Sequence, residues 1–134
     1  MKTLSLLISL LVGSMSLNAQ EITVTINNVT NDQGKVIVSL HKEDTFMKGP
    51  GIQNAESKIE NGNVTVSFKD VEPGTYAIMV LHDVNENNRM DFEPSGMPKE
   101  DYGMSNNPMS FGPPQFADAK FEVTNKNIDM IIRL

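Results

Sequence analysis

An all-β fold, a single antiparallel β-sandwich of six to seven strands with one long ordered loop, follows from three features of the sequence. Apolar and polar residues alternate over short runs, Gly, Asn and Pro punctuate the gaps, and no stretch of twelve residues carries helical periodicity. Stacking two sheets is the way such strands bury their apolar faces, in an immunoglobulin-like or transthyretin-like arrangement.

The chain has 134 residues, enough for one small domain. Its start reads as an address rather than as fold. Lys2, an apolar run over 4–12 and the small residue Ala19 have the layout of a secretory signal peptide over residues 1–19. The run is shorter than the roughly 20 apolar residues of a membrane span, so no transmembrane segment is expected. The β-sandwich domain is then 20–134, exported to the periplasm or secreted.

Each strand has its own signature. Ile22, Val24 and Ile26 alternate with Thr23, Thr25 and Asn27. Val36, Val38 and Leu40 form a second apolar face, and Val64, Val66 and Phe68 a third. Thr75 to Leu81 is apolar on both parities, which predicts a central strand covered on both sides. Ala119, Phe121 and Val123, then Ile128, Met130, Ile132 and Leu134, complete the set, with a weaker strand at Ser57 to Glu60. Asn61-Gly62 has the chemistry of a two-residue hairpin turn joining Ile59 to Val64. Two stretches read as loops: 42–55, with Phe46 and Met47, and 93–115, with Met97, Tyr102, Met104 and Phe111. A structureless loop as long as the second is uncommon in a compact domain and is often functional.

Composition removes several functions. The absence of Cys excludes disulfides, thiolate zinc sites, thiol catalysis and a lipid anchor on Cys. With 11 basic against 17 acidic side chains and a net charge of −6, the chain is a poor nucleic-acid binder. No Gly-x-Ser-x-Gly elbow and no phosphate-binding Gly loop is present.

One constellation carries chemistry. Counted from Asp83, oxygen-bearing side chains fall at positions 1, 3, 5 and 9: Asp83, Asn85, Asn87 and Asp91. Arg89 at position 7 offers its carbonyl, and Asn88 stands where the left-handed Gly of an EF-hand-like loop belongs. Position 12 is Pro94, with Glu93 one residue earlier as a substitute ligand. Calcium is the fitting ion, bound at about 10⁻⁴ to 10⁻³ M because certain anionic ligands are few. The competing reading is an Asx-rich loop whose side chains cap their own backbone.

His82 shares the parity of Tyr76, Ile78 and Val80 and so ends the core face of the central strand. Met90, Met97, Met104 and Met109 with His82 invite a Cu(I) reading, although Met filling gaps beneath a loop accounts for the same residues.

Phe68 to Met79 (FKDVEPGTYAIM) resembles the Pro-Gly-x-Tyr segment of transthyretin-like and collagen-adhesin B-type sandwich domains. A broader resemblance runs from Gly34 to about Val123. Its carriers are Pro73-Gly74-Thr75-Tyr76-Ala77, His82-Asp83-x-Asn85-x-Asn87, Met90-Asp91 and Gly96-Met97-Pro98-Lys99-Glu100. Tyr102-Gly103-Met104-Ser105-Asn106-Asn107 and Pro113-Pro114-x-Phe116-x-Asp118-Ala119 complete them. These resemble the bacterial family called domain of unknown function 2141, which implies an exported β-sandwich and lends no activity. The family pattern would carry an aromatic where Met104 stands.

The functional expectation is an exported, non-enzymatic module whose calcium-ordered loop presents a surface to a protein or glycan at the cell envelope. Asp83, Asn85, Asn87, Arg89, Asp91 and Glu93 would hold the ion; His82, Lys99, Glu100, Tyr102 and Asn106 would form the surface. A small periplasmic enzyme using His82 and Asp83, and a Met/His copper-handling protein, are the alternatives.

Overall fold

A computed structural model describes residues 20–109 and 112–134; the expected signal peptide at 1–19 and Phe111 lie outside the described residues. In chain order the elements are β1 (Gln20–Ile26), β2 (Lys35–His41), β3 (Gln53–Ser57), β4 (Val64–Val71) and β5 (Gly74–Asp83). There follow β6 (Tyr102–Met104), a single helical turn α1 (Phe116–Ala119), β7 (Phe121–Val123) and β8 (Ile128–Ile131). Two sheets form. One has the order β4-β1-β8; the other runs β3-β2-β5-β6, with β7 pairing the start of β5.

Alternation decides which faces meet. Ile22, Val24 and Ile26 of β1 and Val64, Val66 and Phe68 of β4 face Val36, Val38 and Leu40 of β2 and Tyr76, Ile78 and Val80 of β5 in one buried cluster. All these residues sit on the even parity of their strands, so a one-residue slip of any strand would turn its set outward. Ile132 is fully buried with them, and Ile128, Met130 and Leu134 pack alongside.

β5 is the central strand that its two-sided apolarity predicts. Its outward residues Ala77 and Met79 lie under a second small core with Phe46, Met104, Ala119 and Phe116. Phe46 and Met104 come from the two segments expected to be loops, and Phe116 and Ala119 from the helical turn that follows the second. Ser105, fully buried, ties this cover down: its hydroxyl accepts from Ile78 N at 3.0 Å and donates to the Ala119 carbonyl. Asn107 holds the end of the chain, donating to Ile131 O (3.0 Å) and accepting from Arg133 N (2.8 Å).

The Pro-Gly turn before β5 is clamped by the residue it leads to. Tyr76 is buried, and its hydroxyl donates to Glu72 O at 2.7 Å, across Pro73 and Gly74. Tyrosine corners of immunoglobulin-type sandwiches use the same device.

Five features depart from the sequence reading. β8 pairs with β1 in parallel, Ile22 beside Ile128 and Val24 beside Met130, so the sandwich is not wholly antiparallel and has eight strands among the described residues. β3 covers Gln53–Ser57, beginning inside the expected 42–55 loop and ending at the first residue of the weaker strand expected at Ser57 to Glu60; its half-buried, polar composition marks an edge strand and hides its periodicity. Asn61 and Gly62 do form a tight left-handed turn (φ 52° and 75°), closed by paired Glu60–Asn63 bonds of 3.1 and 2.9 Å. The turn carries the chain from one sheet to the other instead of joining paired strands, because β3 pairs with β2 and β4 with β1. β6 lies within the long loop, completing the outer edge of β5. Ala119 belongs to α1, where it is buried in the second core, and β7 begins only at Phe121.

Gly34 shows how closely the strands' ends are packed. Its φ is +70°, and a Cβ there would lie 2.3 Å from Asp83 O and 2.6 Å from Val84 O. Gly34→Ala is therefore expected to lower stability by about 2–4 kcal/mol in denaturant unfolding, from steric overlap with backbone added to left-handed strain. Gly96→Ala, at φ +87° but in open space, should cost only the conformational part, about 1–2 kcal/mol.

Candidate functional site

β5 leaves the core at His82 and Asp83, and the chain then winds around the Asp83 carboxylate. Asp83 is fully buried. Its Oδ1 accepts from Asn87 N at 3.2 Å and its Oδ2 from Asn88 N at 2.8 Å. Asn85 Oδ1 accepts from Asn87 N at 3.4 Å, and Asn87 Oδ1 from Arg89 N at 3.2 Å. Each of these is a short polar side chain capturing a backbone N–H a few residues ahead, the local competition that keeps such sequences out of helix and strand. The wrap requires left-handed backbone at Glu86 (φ 55°) and Asn88 (φ 64°). Asn tolerates that region better than most side chains, and Lys35 Nζ donates to the Asn88 side-chain oxygen from β2.

The turn closes on Asp91. Asn85 Nδ2 donates to its Oδ2 at 2.8 Å, and Asn87 Nδ2 to both oxygens at 2.8 and 3.0 Å. Arg89 Nε stands 3.9 Å from Oδ1. The Asn85 and Asn87 amides, aided by Glu100 and the Arg89 charge, hold Asp91 below the usual carboxylate range, against a smaller opposing effect of desolvation. Asp83, Asn85, Asn87 and Asp91 are thus drawn into one loop. The Glu93 side chain makes no hydrogen bond or ion pair among the described residues; its backbone instead closes a turn, N to Met97 O at 2.7 Å. Among the described residues no three His, Cys, Asp or Glu side chains gather as a metal-binding group. Any cation here would rely on two carboxylates, amide oxygens and backbone carbonyls.

Glu100 has a part that sequence spacing did not indicate. Its Oε2 accepts from Val84 N at 2.8 Å and its Oε1 from Asp91 N at 3.3 Å, so one carboxylate bridges both ends of the wrap. The main chain reinforces the closure through Lys99 N to Asp91 O, 2.8 Å. The only signal in the sequence was the Pro98-Lys99-Glu100 segment within the resemblance. An acceptor 17 residues beyond Asp83 is invisible to a local ligand count.

The other residues expected at a surface separate. His82 is 1% exposed, with Nε2 2.7 Å from Gln33 O; it ends the core face, as its parity implies, and lies under the surface rather than on it. Lys99 is exposed and Tyr102 half-buried, both near the wrap. Asn106 is turned toward α1, donating to Asp118 O and Lys120 O at 3.2 and 2.8 Å. The thioethers are divided: Met104 is buried in the second core, whereas Met97 and Met109 are exposed.

The amide–carboxylate contacts have a pH consequence. A carboxyl group whose folded pKa is depressed contributes stability above its unfolded pKa and loses it as pH falls through the folded pKa. An NMR titration should therefore show Asp91 deprotonating below the usual carboxylate range, with its stabilisation disappearing only in that acid window. Asn87→Ala should return its pKa toward the ordinary value.

No curated protein and no solved structure matches the chain. A family described as an uncharacterized protein conserved in bacteria, domain of unknown function 2141, matches residues 24–131, a span that takes in seven whole strands, the end of β1 and the Asp83–Glu100 wrap. The chain belongs to that bacterial family.

Proposed function

We propose that this protein is an exported, non-enzymatic β-sandwich module whose Asp83–Asp91 loop takes calcium and so fixes a surface for a protein or glycan of the cell envelope. The supporting observation is the wrap itself: Asp83, Asn85, Asn87 and Asp91 converge, and the oxygens of the first three carry the Asx bonds that shape such loops. A carboxylate or amide oxygen that accepts one N–H retains a lone pair for a cation. Calcium accepts six to eight oxygens of mixed type, which suits a loop richer in amides than in carboxylates. On binding, the ion would replace the Asn85 and Asn87 amide donors at Asp91. Glu100 would keep both ends of the loop together whether or not the ion is bound, and Lys99 and Tyr102 next to it would be the first residues offered to a partner. The expected export rests on the sequence of residues 1–19.

Thermal unfolding of the protein in EDTA and then in calcium, with magnesium as control, tests the reading. At a calcium concentration 100 times Kd, stability should rise by about 2.7 kcal/mol. Magnesium should have far less effect, and Asp91→Ala should abolish the rise. An unchanged melting temperature in calcium would overturn the proposal and leave the loop as a self-capped turn.

A further inference from the structure

The outer face of the β3-β2-β5-β6 sheet is not fully covered. Beside the second core lies an open groove of about 500 Å3. Its floor includes Ile37 of β2 and Met79 and Leu81 of β5. Met47 stands at one rim, and Met90 and Phe92 of the segment following the wrap at the other. Met47 and Phe92 are 47% and 52% exposed, an unusual placement for large apolar side chains clustered around one depression. The volume lies within the range of small-molecule sites, about 300–1,000 Å3.

Two observations define what fits. The first is hydrogen bonding. β2 is paired on both sides, by β3 and β5, and β5 by β2 and β6, so the floor's backbone groups are engaged within the sheet. A peptide lying there would bury its own amides with few partners, whereas an alkyl chain has none to satisfy. The second is charge. Among the described residues Arg89 is the only Lys or Arg lining the groove, in a chain of net charge −6. Its side chain is 79% exposed, with Nε near Asp91 and the rest of the guanidinium without a protein partner among the described residues. The one carboxylate lining the groove among the described residues, Glu56, is paired with Lys35 at 3.0 Å. Flexible thioethers suit a chain of variable conformation.

We propose that this groove binds a single-chain anionic amphiphile, an alkyl carboxylate, with its chain along Ile37, Met79 and Leu81 and its head group on the Arg89 guanidinium. The seat of the alkyl chain does not depend on calcium, because the floor belongs to the sheet.

Isothermal titration of the protein with decanoate below its micelle concentration, in EDTA, tests this; EDTA also keeps insoluble calcium soaps out. The expected result is saturable one-site binding, with decyltrimethylammonium at least about tenfold weaker. Arg89→Gln should weaken decanoate about tenfold, the ratio set by one lost charge-assisted hydrogen bond. Ile37→Glu, which puts a charge on the floor, should remove binding while a thermal melt shows the variant folded. Absence of saturable decanoate binding overturns the proposal. Equal affinity for the anionic and cationic amphiphiles, unchanged in Arg89→Gln, also overturns it, since that is chain adsorption without head-group recognition. A calcium-dependent melt alongside either failure would leave the cation reading standing.

Discussion

The constraint on which the molecule turns is that β5 must be covered on both faces. A strand apolar on both parities cannot sit at the surface of a sandwich in the usual way, with one side in the core and one in water. Its even face is covered by the opposing sheet. Its odd face needs a second cover, supplied over Ala77 and part of Met79 by Phe46 from the β2–β3 connection and by Met104, Phe116 and Ala119 from beyond the wrap. The long segment after β5 is therefore an outer layer. Its path is fixed by Ser105 and by the side-chain bonds of Asn106 and Asn107, which satisfy backbone groups that would otherwise lack partners where no regular ladder exists.

The same strand sets up the polar end. Because β5 runs directly from the core into the wrap, Asp83 is buried at its last position, and a buried carboxylate requires donors. The chain provides them from its own following backbone, and Glu100 repeats the solution one layer out. Much of the segment shared with the family thereby acquires a mechanical reason. Pro73, Gly74 and Tyr76 form the clamp before β5, Asp83 to Asp91 the wrap after it, and Ser105 to Asn107 the stitching of the outer layer. These residues hold the scaffold; the groove beside Arg89 is formed largely by residues outside those motifs, Ile37, Met47, Met79 and Leu81.

Legibility followed the range of the physics. Period-two alternation is local, so the two-faced strands β1, β2, β4 and β5 were readable, and the parity of His82 correctly buried it. Left-handed Asn88 and the Asx oxygens were readable because a turn is decided within a few residues. Pairing is not local. Asn61-Gly62 specifies a tight turn and says nothing about whether the flanking strands share a sheet. β3 and β6 are short and partly polar and owe their extended state to β2 and β5, the neighbours that supply their hydrogen bonds. Glu100 belongs to the same class: its role depends on Val84 and Asp91 being brought to one place.

The parallel pairing of β1 with β8 bears on how the chain reaches its folded state. Ile22 lies beside Ile128, and Ile132 N bonds to Thr25 O at 3.0 Å, so the ends of the domain complete a single sheet. A growing or partly folded chain lacks that third strand until β8, about 100 residues after β1, is available. In the interval β1 presents an unpaired apolar edge, the kind of template on which two chains can join. Contacts so distant in sequence also close late and slowly. Solubility during folding therefore rests on β8, which ends that exposure as it adds its own side chains to the core.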